Sequence, residues 1–333
     1  MSGVGQNNGK LRITSFPRIH ITLIGMNSGG YRINGSVGFS ISDPKIVNYC
    51  EVSDIIKIND EREITFSEQE NERLCKVLME VTNSLSLKKK ISYTIKGSAL
   101  THYGLGSNTS IYMSCIEALL ILNEIEYSQN DMIAYSKRGG TSGIGINTYF
   151  EGGFVFDVGI KCNEESFKPS SIADRSGKVP LVMHKCRLPD WRIGVCIPKY
   201  IQNKSEQDEV DFFKSQCPID RTSVESILYE AAYGITPSII ENDYYVFCKS
   251  INAIQSTQWK LLERSLYGER LLDLEQKIKS LGADCIGMSS LGPLLFYTGK
   301  NIDSINERIS NDIPETIVYS TSFNNIGRKI SYD

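Results

Sequence analysis

Short apolar segments, alternating with polar residues or rich in β-branched side chains, predict the strands of this protein. The first runs through residues 11–24 on both sides of Pro17, and a glycine- and asparagine-rich turn at residues 25–35 separates it from a returning strand at 37–41. The chain is therefore expected to open with a β-hairpin. The same criteria predict further strands at residues 91–95, 154–159, 191–198, 285–288, 294–298 and 316–320.

Apolar residues spaced three and four positions apart predict the helices. They share one face over residues 67–85, whereas residues 107–123 are apolar on nearly every side and predict a buried helix. Because strands and helices do not alternate regularly, the pattern favours an α+β fold over a doubly wound α/β sheet. Residues 161–180 show no periodicity and predict a loop or a domain junction. The other predicted helices are residues 131–136, 301–311 and most of 205–281.

Composition and charge exclude several classes of function. The chain has 333 residues, of which 41% are hydrophobic and 23% charged, as in ordinary globular proteins. Lys and Arg total 36 against 39 Asp and Glu, so we expect neither a nucleic-acid partner nor a membrane partner. The longest apolar runs, such as residues 118–122, are far shorter than the roughly 18 residues of a membrane span. The first ten residues have no apolar signal core, and the nine cysteines are irregularly spaced, so a cytoplasmic location is expected.

The strongest local signal is a glycine-rich loop, residues 103–109, that leads directly into the predicted buried helix. Gly104 and Gly106 allow a ligand to approach the backbone closely, and the N–H groups of Ser107, Asn108 and Thr109 then point at it. Free N–H groups and the helix dipole at this position favour an anion. The loop is neither a Walker loop nor a dinucleotide fingerprint. By itself it is compatible with a phosphate cradle or with a simple capped turn.

Two further loops carry candidate anion contacts. Residues 138–145 contain four glycines, which favour close ligand approach or a crossing between domains. Arg138 is a candidate clamp for a phosphate or carboxylate, or else a surface arginine. In the third loop, residues 287–293, the hydroxyls of Ser289 and Ser290 are candidate donors to an anion, or they cap a turn.

The order and spacing of these three loops resemble the GHMP kinase superfamily over nearly the whole chain. The matching stretches are residues 104–110, 142–153 and 282–287. The resemblance implies an N-terminal domain, residues 1–170, with a left-handed β-α-β element and the phosphate-binding loop. It also implies a C-terminal ferredoxin-like α+β domain, residues 171–333, with the site in the groove between them.

One departure from the kinases decides the chemistry. Their central motif carries a catalytic Asp three positions after its serine, and here that position is Gly145. The spacing from Ser142 to Gly152 and Gly153 is preserved, so a slip in register does not explain the change. Glycine cannot act as a general base. The sequence therefore predicts that the anion cradle is kept and that the kinase reaction is lost.

A second resemblance fits more closely. Residues 17–24, 138–145 and 287–293 are similar to those of the β-ribofuranosylaminobenzene 5′-phosphate synthase family. That family joins phosphoribosyl pyrophosphate to 4-aminobenzoate, with loss of pyrophosphate and CO2, and related enzymes make C-nucleosides from heteroaromatic carboxylates. The resemblance implies a decarboxylating C-glycoside synthase acting on phosphoribosyl pyrophosphate and an aromatic or heteroaromatic carboxylic acid. Gly25 and residues 34–36 depart from the family pattern and leave the aromatic partner open.

This resemblance assigns expected roles to the candidate residues. Arg18 and His20 are two apart on a strand and share a face, so they are expected to grip a phosphate or the aromatic carboxylate. Without the resemblance they suggest an arginine on a solvated sheet face and a hydrogen-bonded histidine. Asp157 is expected to take a proton or bind Mg²⁺, or else to be an ordinary strand-end carboxylate. The expected substrate contacts are Gly104, Gly106, Ser107, Asn108, Thr109, Arg138, Thr141, Ser142, Ser289 and Ser290.

Magnesium is expected as a cofactor that bridges oxygens of the pyrophosphate. No use of ATP is expected. Whether the chain forms a homodimer is left open. His102 lies just before the phosphate loop, where it contacts the anion or caps the turn. Two alternatives also remain open. A small-molecule kinase with a displaced base would consume ATP, and a non-catalytic sensor of phosphoribosyl pyrophosphate or a nucleotide would bind without turnover.

Overall fold

The computed structural model describes residues 10–137, 143–162, 167–169 and 179–332. Its strands are β1 (Lys10–Ser15), β2 (Arg18–Ile24), β3 (Arg32–Ile33), β4 (Gly35–Ser40), β5 (Ile46–Ser53), β6 (Lys57–Asp60), β7 (Lys90–Gly97), β8 (Phe154–Asp157), β9 (Ile160–Lys161), β10 (Val182–Cys186), β11 (Arg192–Pro198), β12 (Ala283–Met288), β13 (Leu295–Gly299), β14 (Thr316–Ser322) and β15 (Lys329–Tyr332).

The helices of the described residues are α1 (Glu68–Ser84), α2 (Ser107–Leu122), α3 (Gln129–Ser136), α4 (Ile144–Glu151), α5 (Glu206–Gln216), α6 (Arg221–Tyr229), α7 (Thr236–Glu241), α8 (Tyr244–Gln255), α9 (Gln258–Ser265), α10 (Glu269–Ser280) and α11 (Ile302–Asp312). A π-helical segment, Glu230–Ile235, joins α6 to α7. In the part of the chain that is described, no helix combines the length and apolar character needed to cross a membrane.

Two sheets and the helices between them form the N-terminal half. The first sheet has the order β15-β1-β5-β7-β6, and the second has the order β10-β8-β4-β2. Helix α2 packs on β1, β5 and β7 of the first sheet and on α4, which packs on β2, β4 and β8 of the second. Nearly every side chain of α2 is buried, because a helix that is apolar all round is stable only inside a core. The antiparallel pairing of β2 with β4 confirms the predicted opening hairpin.

The third sheet has the order β12-β13-β11-β14, and all its pairings are antiparallel. Helices α5 to α10 connect β11 to β12, and α11 connects β13 to β14. A β-α-β-β-α-β chain with this strand order is the ferredoxin-like arrangement. The expected α+β fold with a ferredoxin-like C-terminal half is therefore confirmed.

Two strands that follow residue 170 pair with strands that precede it. Strand β10 pairs with β8, and β15 pairs with β1. The division of the chain at residue 170 stays a prediction, but these pairings join the C-terminal segment firmly to the N-terminal sheets.

The structure also corrects several local predictions. Gly145 was expected in a loop but lies in the first turn of α4. Strands β5, β6, β10 and β15 were not predicted. All four residues of β15 are exposed, so the strand has no apolar pattern and is held by backbone pairing at a sheet edge. The expected loop at 161–180 falls largely outside the described residues.

Candidate active site

The glycine-rich loop takes the backbone conformation that its sequence predicts. Gly104 and Gly106 have φ values of 94° and 72°, which are left-handed and favour glycine. Helix α2 begins at Ser107, and no side chain caps its N-terminus. The first N–H groups of a helix have no partner within the helix, so they are available to an anion. The loop and the first turn of α2 thus form an anion-binding feature.

Arg18 lies directly beneath this loop. Its backbone N–H donates to Leu105 O at 3.0 Å, and its Nη1 donates to Gly104 O at 2.6 Å. A Cβ atom added to Gly106 would lie 2.9 Å from both Cγ and Nε of Arg18. Burial lowers the pKa of Arg18 to about 10, which leaves the guanidinium charged at neutral pH. Arg18 therefore supports the loop and adds positive charge below it.

Ser289 fixes the same loop from the C-terminal half. Its hydroxyl donates to Gly104 O at 2.7 Å and accepts from the backbone N–H of His20 at 3.0 Å. Ser289 is fully buried and does not line the cavity described below. Because its one hydroxyl proton is already donated, its position makes it a connector between β2, the loop and β12. Its predicted role as a donor to the substrate is not supported by this placement.

His20 is buried beside Arg18; its backbone N–H donates to Ser289 Oγ, and its backbone O accepts from the N–H of Ser290. Burial, together with the positive charges of Arg18 and Lys260, holds the pKa of His20 well below its usual value. The imidazole is therefore neutral at physiological pH. Of the two residues expected to grip an anion from this strand, only Arg18 carries a positive charge.

A central cavity brings together most of the predicted site residues. Arg18 and His20 both reach it, which confirms that they share one face of β2. The predicted residues that line it are Arg18, His20, Gly104, Gly106, Ser107, Asn108, Thr109 and Ser290. Arg138, Thr141 and Ser142 lie outside the described residues.

Asp157 is not among the described residues that line this cavity. It is fully buried and accepts hydrogen bonds from Ser36 Oγ at 2.5 Å, Gly143 N at 3.1 Å and Gly159 N at 2.9 Å. Burial raises its pKa to about 7, although these hydrogen bonds and Arg32 oppose the rise. Its contacts make Asp157 a positioning residue that ties β4 and β8 to the start of α4. The predicted catalytic or metal-binding role has no support in this geometry.

Gly145 faces the anion-binding loop. A Cβ atom added there would lie 3.4 Å from Cγ2 of Thr109, in ordinary van der Waals contact. A carboxylate at this position, as in the kinases that the sequence resembles, would therefore stand beside the first turn of α2. This geometry is compatible with the register of the sequence match, and Gly145 itself offers no side chain in the place of the kinase carboxylate.

Several residues that line the cavity escaped the sequence analysis. They come from β2, α5, α9 and loops, and none of them carries a motif that marks a site: Leu23, Asn34, Lys168, Glu209, Phe213, Glu263 and Leu291. Glu263 pairs with Lys260, which is fully buried and also donates to Met288 O at 2.8 Å.

Outside the cavity wall, Glu70 accepts a hydrogen bond from His102 at 2.6 Å. Burial would raise the pKa of Glu70, but hydrogen bonds from His102 and Ser67 lower it to about 2.

Searches for similar proteins place the chain among named relatives. No family model matches it. A beta-ribofuranosylphenol 5'-phosphate synthase from Archaeoglobus fulgidus is 30% identical over 311 residues, which are 90% of this chain and 91% of that protein. A protein of the same name from Methanothermobacter thermautotrophicus is 29% identical over 291 residues, which are 86% of this chain and 88% of that protein.

Solved structures of kinases share the fold. Homoserine kinase from Cytophaga hutchinsonii superposes with a TM-score of 0.68 at 14% identity, covering 99% of this chain and 100% of the kinase. Mevalonate kinase from L. major superposes with a TM-score of 0.70 at 13% identity, covering 98% of this chain and 97% of the kinase. These similarities establish the GHMP kinase fold alone. The sequence relatives show that the chain belongs to the beta-ribofuranosylphenol 5'-phosphate synthase family of enzymes.

Proposed function

We propose that this enzyme joins phosphoribosyl pyrophosphate to an aromatic or heteroaromatic carboxylic acid. The ring carbon that bears the carboxylate bonds to the anomeric carbon of the ribose, pyrophosphate leaves, and CO2 is then lost. The observation that carries the proposal is the intact anion-binding loop beside Gly145. Such a site can hold a pyrophosphate, but it lacks the carboxylate with which the kinases activate a hydroxyl.

The chain's own groups suit departure of pyrophosphate. The N–H groups of the first turn of α2 and the guanidinium of Arg18 stabilise the negative charge that develops on the leaving group. Positioning of the two substrates supplies most of the remaining acceleration. Loss of CO2 restores the aromatic ring, so no base is required at the ring carbon.

Magnesium is part of the proposal as a partner of the pyrophosphate. The described residues contain no cluster of three or more side chains that could hold a metal ion. Mg²⁺ commonly takes most of its ligands from substrate phosphates and water, so a protein cage is not required. When bound, the ion neutralises charge on the leaving group.

The name of the relatives refines the choice of aromatic acid. Their product is a ribofuranosylphenol 5'-phosphate, whereas the sequence motifs suggested a 4-aminobenzoate-like substrate. We therefore propose a hydroxybenzoate as the first substrate to test, with 4-aminobenzoate beside it. The side chains of Leu23, Phe213 and Leu291 provide an apolar wall for the ring.

An assay of both products tests the function. The enzyme is incubated with Mg²⁺, phosphoribosyl pyrophosphate and either carboxyl-labelled acid, and pyrophosphate and labelled CO2 are measured. Release of the two in equal amounts supports the proposal. The kinase alternative would need a relocated carboxylate, for which Glu209 in the cavity is a candidate, and it would instead consume ATP. Binding without any turnover would favour the sensor alternative.

Phosphoribosyl pyrophosphate with Mg²⁺ is expected to raise the melting temperature by several degrees, whereas ATP with Mg²⁺ is not. A ligand present at roughly 100 times its Kd stabilises the folded state by about 2.7 kcal/mol. Differential scanning fluorimetry over a range of both ligands measures the shifts. A strong shift with ATP, accompanied by a phosphorylated product, would overturn the proposal in favour of a kinase.

Replacing Arg18 with alanine is expected to weaken the binding of phosphoribosyl pyrophosphate and to leave the binding of the aromatic acid nearly unchanged. Arg18 donates to the loop itself, and a hydrogen bond to a charged group contributes about 1.5–3 kcal/mol, or roughly ten- to a hundredfold in kcat/KM. Steady-state kinetics with each substrate varied in turn measure the effect. The exposed Arg187→Ala is the control. A raised KM for the aromatic acid alone would restore the sequence-based expectation that Arg18 holds the carboxylate.

A further inference from the structure

Helix α5 contributes an acidic and an aromatic side chain to the same wall of the cavity. Glu209 and Phe213 both line it. They are four residues apart, so they are neighbours on one face of the helix, with about 5–6 Å between their Cβ atoms. A benzene ring that packs on Phe213 therefore brings a ring substituent within hydrogen-bonding reach of Glu209.

Of the carboxylates that the described part of the chain brings into this cavity, the Glu209 carboxylate remains free to react. Among the described residues, no hydrogen bond or ion pair occupies its side chain. The other cavity carboxylate, Glu263, is paired with the fully buried Lys260. His20 is a poor proton acceptor, because burial and the charges of Arg18 and Lys260 oppose a positive charge on it.

We propose that Glu209 accepts the hydroxyl proton of a phenolic substrate and returns it to the product. This inference rests on the proposed function and names a residue for it. The O–H bond breaks and its proton passes to the carboxylate, leaving a phenolate. The electron pair of the phenolate makes the ring carbon that bears the carboxylate nucleophilic, and this carbon bonds to the anomeric carbon as pyrophosphate leaves with its electron pair. The C–C bond to the carboxylate then breaks, CO2 departs, and the product phenolate regains the proton from Glu209.

The environment of Glu209 suits this task at neutral pH. Burial raises its pKa to about 7, and a base with a pKa near the working pH is the most effective. The carboxylate form is present above this value and is lost as the pH falls through it. The charged and titratable groups around Glu209 are His102 and Arg18 from other elements, Glu206 and Asp208 from α5, Tyr267 beside α9, and Lys168 and Glu263 in the cavity wall.

The test compares Glu209→Gln with the wild-type enzyme on three acids. With 4-hydroxybenzoate, E209Q is expected to lower kcat by roughly a hundredfold or more, because general base catalysis commonly contributes that much. With 3,5-difluoro-4-hydroxybenzoate, whose phenol is far more acidic and ionises largely in water just above neutral pH, most of the loss should disappear when the assay is run there. With 4-aminobenzoate, whose amino nitrogen offers its lone pair to the ring without losing a proton, E209Q should also have little effect.

The pH profile gives a second readout. Wild-type kcat/KM for 4-hydroxybenzoate should decline below about pH 7, as the Glu209 carboxylate is protonated, and this decline should be absent in E209Q. Asp211→Asn makes the same change of charge at an exposed position of α5 and should leave the kinetics unchanged. Melting curves of both variants check that they fold.

Three outcomes separate the possible failures. Equal loss of activity with all three acids, or an unchanged pH profile in E209Q, would overturn the role of Glu209. Suppose instead that E209Q leaves kcat unchanged but raises the KM for phosphoribosyl pyrophosphate or the Mg²⁺ concentration needed for half-maximal activity. That result would overturn the role of Glu209 as a proton acceptor in favour of a role in substrate binding. Wild-type enzyme that releases neither pyrophosphate nor CO2 with any of the acids would overturn the proposed function itself.

Discussion

Replacing Gly106 with valine is expected to abolish pyrophosphate release while leaving the protein folded. Gly106 has a φ of 72°, and an added Cβ would lie 2.9 Å from Cγ and Nε of Arg18. Valine would therefore distort the loop and displace the guanidinium that donates to Gly104 O. Loss of one donor to a developing anion commonly costs about 100- to 1000-fold in kcat, and this change disturbs several donors together. A continuous pyrophosphate assay measures the result.

Gly268→Val is the matched control for this prediction. Gly268 also has a left-handed φ, 63°, but nothing lies within 4 Å of a Cβ added there. Both variants carry the backbone strain of a side chain at positive φ, about 1–3 kcal/mol, and the strain is the larger at Gly268, whose ψ is −155° against 19° at Gly106. Only G106V should lose turnover. Near-wild-type activity in G106V would show that the pyrophosphate binds elsewhere.

Replacing Arg328 with methionine is expected to lower the free energy of unfolding by about 3–5 kcal/mol, because it leaves a buried carboxylate without its ion pair. Glu117 in α2 is fully buried, and Nη2 of Arg328 donates to it at 2.6 Å. The hydroxyls of Tyr127 and Tyr149 also donate to Glu117, at 2.8 and 2.5 Å, and they would remain. The pair ties the C-terminal segment to the central helix of the N-terminal half. Urea denaturation measures the loss.

Two further variants test the cause of this loss. Arg192→Met removes an exposed bidentate pair with Asp303 and should cost far less, because solvent screens ion pairs at the surface. Glu117→Gln combined with R328M removes the buried charge and should recover part of the stability. If R328M unfolds no more readily than R192M, the pair is not a major source of stability.

The local sequence predicted the elements whose stability depends mainly on near neighbours in the chain. Helix α2 was predictable because its apolar residues surround it on all sides, and such a segment is stable only in a core. The loop before it was predictable because Gly104 and Gly106 favour the left-handed backbone that the turn requires. The absence of a carboxylate at position 145 was likewise visible from motif spacing alone. Strand β15 could not be predicted, since all its side chains are exposed and only pairing with β1 defines it.

The roles of individual side chains depended on contacts between distant parts of the chain. Asp157 follows a glycine pair and resembled a catalytic residue, but Ser36, Gly143 and Gly159 surround it and occupy its oxygens. His20 was expected to grip a phosphate or the aromatic carboxylate together with Arg18, but burial beside Arg18 and Lys260 keeps it neutral.

Glu209 gave no signal in its own segment, because its significance comes from the cavity that α5 shares with the glycine-rich loop. The sequence by itself thus determined the α+β fold class, the position of the anion-binding loop and the loss of the kinase carboxylate. The tertiary structure decided which titratable groups reach the cavity and which are enclosed by hydrogen bonds. It did so because burial, charge and hydrogen-bond partners arise only when segments far apart in the sequence pack together.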